Sequence, residues 1–303
     1  MNRGLIEVLK DEVWKTGVRV KRPLTTLREG VRDLVFDAVG MEVYDAEWDL
    51  LVVLDAFRAD ALRSVQDEYE FLGDMDTAFS KGSSSREWIS TNFHERHRNW
   101  TKRTAYVTGN PFSNDYLDKN HFNILDEVWR YHWDDEVGTI PPDVMTKRAI
   151  LVGRNGDHDR MIVHYMQPHF PSIPHPEIGS AVDPETNVWL DSVWDRLESD
   201  DISYERVWEA YLDNLRHVLD SVSVLLKNVE AETAILTADH GDGFGEEGIY
   251  GHPRLRTHRV LREVPWVMTD ATDEETLLPE ETDHDNIANE EDIEKRLADL
   301  GYR

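Results

Sequence analysis

Apolar and polar positions along the chain follow two alternating rhythms. Residues 49–55 read Asp-Leu-Leu-Val-Val-Leu-Asp, a continuous apolar run closed abruptly by an acid. Such a run suits a strand covered on both faces, as in a parallel sheet. Residues 56–65 read as the helix that follows it. Residues 158–171 repeat the design, with Met161-Ile162-Val163-His164-Tyr165-Met166 as the strand and Pro168 as its stop. From Tyr204 to Val229 the period becomes helical: Val207, Tyr211, Leu215, Val218, Val222, Leu225 and Val229 form one long apolar stripe. The stripe feeds into the strand 233–237, Thr-Ala-Ile-Leu-Thr, which ends near Asp239-His240-Gly241. Helix followed by buried strand is the grammar of a doubly wound sheet. The predicted class is therefore α/β, a three-layer α/β/α sandwich with a mostly parallel central sheet.

The two ends of the chain differ from this body. Leu24, Leu27, Val31 and Leu34 recur at helical spacing and predict an amphipathic helix over 25–39. The first 34 residues carry eight basic and five acidic side chains. Packing of this helix on the body is the preferred expectation, and weak association with an anionic membrane surface is the alternative. Beyond Asp270 the chain turns acidic (Asp273, Glu274, Glu275, Glu280, Glu281), and Ile293, Leu297 and Leu300 then predict a short helix. The organisation expected is a helical segment at 1–40, a body at 41–270, and an acidic linker with a C-terminal helix at 271–303. No run approaches the ~18 apolar residues of a spanning helix, and the N-terminus lacks the apolar stretch of a signal peptide. The expected location is the cytoplasm, with peripheral contact to the inner membrane face as the variant.

Charge sharpens this picture. There are 61 acidic residues against 33 basic ones, and Lys supplies only nine of the 33. A net charge of −28 is a self-repulsion problem at low salt. Molar salt shortens the Debye length to about 3 Å and removes it. The composition therefore suggests a halophile's protein, kept soluble by carboxylates that hold water and hydrated cations. The same charge argues against nucleic acid as a partner, because phosphate backbones need clustered Lys and Arg. Cysteine is absent, which excludes disulfides, thiolate metal sites and thiol catalysis.

Three segments place polar chemistry where an open parallel sheet collects function, beyond the carboxyl ends of its strands. Asp55 ends an apolar strand, and an acid there must be paired, metal-bound or an N-cap of the next helix. Thr237-Ala238-Asp239-His240-Gly241-Asp242-Gly243-Phe244-Gly245-Glu246 puts an adjacent Asp and His at another strand end, where both can reach one divalent cation. Gly82-Ser83-Ser84-Ser85-Arg86-Glu87-Trp88 contains Ser84 with Glu87, the spacing of a capping box. A hydroxyl at a helix N-terminus also sits where backbone N–H groups favour an alkoxide and an incoming anion. His164 shares a strand face with Ile162 and Met166, so core packing and lining of the site are equally open for it.

Together with His169-Phe170-Pro171, these segments resemble the alkaline phosphatase superfamily, in its sulfatase-like branch that includes the lipoteichoic acid synthases. The matched framework runs from about Asp49 to Val267, and Asp-His-Gly-x-x-x-Gly-Glu is its most specific element. The resemblance implies a metal-dependent hydrolase or transferase of phosphate or sulfate esters. It implies Asp55, Asp239 and His240 as metal ligands, with Ser84 as both ligand and nucleophile; Ser83 and Ser85 offer the same hydroxyl on either side. It implies His169 and His252 as contacts of the transferred group, with Arg86 as a helper. The cofactor expected is one divalent ion, with Mn, Mg, Zn or Ca all compatible with oxygen and imidazole donors. A second metal needs a further Asp and two His that no motif assigns. The chain departs from sulfatases where their formylglycine precursor stands: counting back four from Arg86 reaches Gly82. Phosphate esters, lipid-linked or glycan-borne, are therefore the expected substrates, with sulfate esters and a non-catalytic binding role as alternatives.

Overall fold

In the computed structural model, which describes residues 40–179, 192–280 and 290–300, the first apolar run is strand β1 (Leu50–Asp55), buried along its whole length. Six further strands join it: β2 (Met75–Phe79), β3 (Thr104–Thr108), β4 (Ile124–Glu127), β5 (Arg160–Pro168), β6 (Ala231–Ala238) and β9 (Glu263–Ala271). Their order is β2-β9-β6-β1-β5-β3-β4. β6, β1, β5, β3 and β4 run parallel, and β9 lies antiparallel between β2 and β6. A two-residue pair, β7 (Gly243–Phe244) and β8 (Tyr250–Gly251), forms a separate hairpin just past β6.

Helices cover both faces. On one lie α1 (Ala59–Val65), α3 (Pro142–Asn155) and α5 (Tyr204–Leu226), which pack on one another and on the sheet. Tyr165 on β5 reaches this layer, its hydroxyl 2.7 Å from that of Thr146 on α3. Neighbouring side chains on a strand point to opposite faces. His164 accordingly turns the other way and meets Trp88 of α2 (Ser85–Asn92) edge-on at 5.4 Å between centroids. The predicted stripe of α5 is buried throughout, from Val207 to Leu225, with Val229 just beyond the helix. A short helix, α4 (Val193–Glu198), precedes α5.

Two boundaries differ from the sequence expectation for a physical reason. The helix after β1 starts at Ala59 rather than at residue 56, because Ala56 has φ of +62° and breaks the helical path. Tyr211 of α5 holds that bend: its hydroxyl donates to Ala56 O at 2.7 Å and accepts Arg58 N–H at 3.0 Å. Asp55 is consequently no helix cap. The acidic stretch after β9 is also tied down: Asp273 pairs with Arg154 at 2.6 Å, and Thr272 N–H donates to Leu226 O at 2.9 Å. Helix α6 (Glu290–Asp299) buries Ile293 and Leu297, with Leu300 buried just past its end. The helix expected over 25–39 lies outside the described residues. No helix among the described residues is long and apolar enough to cross a membrane.

Candidate active site

Asp55 is the last residue of β1, Asp239 and His240 follow β6, and His169 follows β5, so parallel neighbours deliver all four to one crevice. Asp239 is set rigidly. Its Oδ1 accepts Ala56 N–H at 3.1 Å and His240 N–H at 2.8 Å. Its Oδ2 makes no hydrogen bond and lies 3.5 Å from His240 Nε2. His240 Nδ1 sits 3.0 Å from Gly241 O, and a carbonyl can only accept. The proton is therefore on Nδ1, and the Nε2 lone pair faces Asp55 Oδ1 at 3.4 Å. Gly241 is required by close approach: a Cβ there would meet Val260 O at 2.3 Å. Arg58 braces the same loop, donating to Asp242 O at 2.8 Å and pairing with Glu246 at 2.7 Å between the rings of Trp208 and Phe244. Glu246 of the motif is thus a clamp on the loop.

The hydroxyl in this crevice belongs to Ser85. Its Oγ donates to Asp55 Oδ2 at 3.0 Å and lies 3.2 Å from His240 Nε2. Ser84, expected from the sequence to be the nucleophile and a ligand, is the buried N-cap of α2, and its Oγ makes no hydrogen bond. The expected capping box is not formed either. Glu87 instead accepts Ser83 N–H at 2.9 Å, Ser83 O–H at 3.0 Å and Leu255 N–H at 2.7 Å, which ties the first turn of α2 to the loop after β8. Arg86 stacks on Phe112, with its guanidinium carbon 4.6 Å from the ring centroid.

His169 and His252 meet beside Asp242, which the sequence reading left without a role. His252 Nδ1 lies 2.7 Å from Asp242 Oδ1, and the two imidazole rings are 4.9 Å apart. The His252 ring is also 4.7 Å from that of His240, so the two groups adjoin. One ligand atom each from Asp55, Asp239 and His240 falls within 4.8 Å of the others, and the same holds for His169, Asp242 and His252. His169 and His252, named from the sequence as contacts of the transferred group, thus meet Asp242 in a second cluster that could hold a cation, where one ion was expected.

The electrostatics fit cations. Asp55, Asp239, His240 and Asp242 are fully buried. Asp55 Oδ1, Asp239 Oδ2 and Asp242 Oδ2 lack hydrogen bonds, an expensive state for buried carboxylates unless a cation completes it. Burial, then the charges of Asp239 and Asp242, push Asp55 well above the usual carboxylate range. Burial acts on Asp239 in the same direction, but the imidazoles of His240 and His164 and the Ser85 hydroxyl outweigh it and hold that carboxyl low. Asp242 is likewise held low against burial, chiefly by His252. His169 is pushed down to about 4 by burial and by His252, so at neutral pH it is an uncharged imidazole.

One residue of the site, Asn110, was missed from the sequence, and one, His164, was left open. Asn110 donates from Nδ2 to Asp55 Oδ2 at 2.9 Å and accepts Phe112 N–H at 3.0 Å, fixing the carboxylate of β1 from the end of β3. His164, open between core and site, lies 3.6 Å from Asp239 Oδ2. Neither sits in a motif, and only the periodic position of His164 hinted at it.

The fold and the site define a mostly parallel α/β domain with a carboxylate- and imidazole-lined centre at its strand ends. No protein-family profile matches the chain, and no curated protein matches it. Solved structures are similar in fold. The soluble domain of lipooligosaccharide phosphoethanolamine transferase A from Neisseria meningitidis is 14% identical with a TM-score of 0.47, covering 74% of this chain and 76% of that one. The C-terminal periplasmic domain of phosphoethanolamine transferase EptC from Campylobacter jejuni is 15% identical with a TM-score of 0.48, covering 72% and 77%. The lipoteichoic acid synthase LtaP from Listeria monocytogenes is 13% identical with a TM-score of 0.43, covering 76% and 66%.

Proposed function

We propose that this chain is a cation-dependent enzyme that hydrolyses or transfers phosphate esters through a covalent intermediate on Ser85. The observation that carries the reading is the Ser85 hydroxyl, buried at the N-terminus of an eight-residue helix and within 3.2 Å of both Asp55 and His240. Asp55, Asp239 and His240 hold one divalent cation, with Ser85 as the fourth donor; Asp242, His169 and His252 hold a second. Bound there, such ions lower the pKa of a coordinated hydroxyl and neutralise charge on phosphoryl oxygens. Ser85 Oγ loses its proton to solvent and attacks phosphorus, the new O–P bond forms, and the ester O–P bond breaks, its oxygen taking up a proton from solvent to leave as the alcohol. Water or an acceptor alcohol then takes the phosphoryl group from Ser85. The N-terminal end of the α2 dipole favours the negative charge of the equatorial oxygens.

Phosphate is favoured over sulfate by Gly82. A Cβ at that position, four before Arg86, would lie 2.6 Å from Trp88 N and 2.7 Å from Ser84 O, and the run from Ser85, Ser-Arg-Glu-Trp-Ile, lacks the Pro and Arg of the Cys/Ser-x-Pro-x-Arg stretch that sulfatases convert to formylglycine. The substrate class that follows is a phosphomonoester or phosphodiester, lipid-linked or glycan-borne.

The test is a screen in molar KCl of phosphomonoesters, phosphodiesters and sulfate esters, with chelated protein and with protein reloaded with Mn, Mg, Zn or Ca. Turnover of a phosphate ester only by reloaded protein, with phosphate trapped on Ser85 in a peptide map, is the expected result. Absence of turnover with every ester and every ion would leave a non-catalytic binding role in its place.

A further inference from the structure

Behind the metal-facing carboxylates a second row of polar groups lies fully buried in the sheet. Tyr106 and Thr108 stand on β3, His164 on β5 and Asn110 just past β3, and each is fully buried. The donors in this row can be ordered. Asn110 N–H donates to Thr108 Oγ1 at 3.0 Å, so the Thr108 hydroxyl is left to donate its own proton. The Tyr106 hydroxyl lies 2.8 Å from His164 Nδ1. The Asp239 carboxylate that faces Nε2 at 3.6 Å can only accept, which places the imidazole proton on Nε2 and leaves Nδ1 to accept the Tyr106 O–H. An imidazole that accepts at Nδ1 carries its proton on Nε2.

His164 Nε2 has no other hydrogen-bond partner, and it faces Asp239 Oδ2 at 3.6 Å, an oxygen that has none either. That separation is longer than a formed hydrogen bond. A modest rotation of either side chain closes it, while the edge of Trp88 bounds the imidazole on the helix side. Resting on the cation-site reading above, we propose that His164 is a positioning residue: its Nε2–H, with Nδ1 held by the Tyr106 hydroxyl, orients Asp239 Oδ2 toward the cation. Asn110 does the equivalent for Asp55, so the end of β3 supports both carboxylates without touching the ion. Metal ligands are commonly held by such outer partners, whose loss lowers affinity about 10–100-fold.

Two measurements on the full chain in molar KCl test this. Imidazole-nitrogen NMR of the cation-free protein, with the His164 signal identified by its loss in His164→Asn, reads the tautomer directly. A protonated Nε2 and bare Nδ1 are expected, with the preference weakened in Tyr106→Phe; the opposite tautomer overturns the proposal whether or not the protein binds metal. Calorimetric titration with Mn²⁺ then separates the donor from the packing. A Gln amide nitrogen falls near the position of Nε2 and an Asn amide nitrogen near that of Nδ1. His164→Gln should stay within a few-fold of the parent, while His164→Asn loses about 10–100-fold. Equal affinity in both variants, or equal loss in both, overturns the proposal. Tyr106→Phe removes one hydroxyl and keeps the ring, so it reports on the Nδ1 contact even where a His164 variant folds poorly. A parent protein that binds no Mn²⁺ yet has the Nε2 tautomer refutes the cation reading and leaves the tautomer lock standing.

Discussion

The two halves of the site are built from the same residue types in opposite proportion. Asp55, Asp239 and His240 give two carboxylates to one imidazole, all fully buried, whereas Asp242, His169 and His252 give one carboxylate to two imidazoles, with the His252 side chain 12% exposed. The first group crowds buried carboxylates: burial first, and then the charges of Asp239 and Asp242, push the Asp55 carboxyl up. The second is already internally matched, because His252 and Asp242 satisfy each other at 2.7 Å. On the proposed reading a cation relieves the inner group and is accepted by the outer one, and the proposed nucleophile, Ser85, lies against the inner group.

The largest expected effect breaks that assignment at the hydroxyl. Ser85→Ala should lower turnover by at least roughly 10³-fold, as removal of a nucleophile does. Ser84→Ala, one residue away, should cost less than about tenfold because its hydroxyl contacts neither group. Steady-state rates on the same phosphate ester decide between them, and comparable losses would undo the distinction.

Next come the carboxylates. Asp239→Asn should abolish tight binding at the inner group and leave one weaker equivalent, while Asp242→Asn should remove only the outer equivalent; metal content after gel filtration counts them. If either variant lost both ions together, the two groups would be one site.

A smaller effect concerns stability and carries a definite sign. The folded pKa of Asp55 is raised above its unfolded value, so the folded chain holds the extra proton. Stability of the cation-free protein attributable to Asp55 is therefore full below the unfolded value of about 3.9 and is lost as pH rises toward the folded one. Asp55→Asn should raise the melting temperature of cation-free protein at neutral pH, by about 2–4 °C per kcal/mol relieved, while destroying the inner site. Cation binding to the parent should release a proton and weaken as pH falls, read from the buffer dependence of the binding heat. His169, pushed down to about 4 by burial and by His252, stays uncharged until the pH falls to that value.

The smallest contrast sets the interior against the exterior. Surface repulsion from a net charge of −28 is screened by salt, whereas the buried carboxylates are not. Molar KCl should therefore raise the melting temperature of parent and Asp55→Asn alike, and leave the difference between them unchanged in differential scanning calorimetry.

What the sequence determined by itself is the sheet and the inner acids. Leu50 to Leu54, Met161 to Met166 and Ala234 to Ala238 must be buried on both faces, and the acids Asp55 and Asp239 that follow such runs stand out because nothing apolar explains them. Three consecutive serines at one helix start look alike in sequence. They are separated only by backbone direction: Ser84 is extended, with φ of −158° and ψ of 156°, and Ser85 begins the helix with its Oγ turned to Asp55. The outer group was equally hidden. Asp242 and His252 become neighbours because β7 and β8 fold back on each other, pairing Gly243 with Gly251, and His169 joins them from β5. His164 and Asn110 carry no motif: Asn110 donates to Asp55, and His164 faces Asp239 from a neighbouring strand. Local pattern can specify which residues must be buried, but which buried polar atoms face one another depends on strand order, register and the turns beyond the strands, and those are set only when the whole sheet has formed.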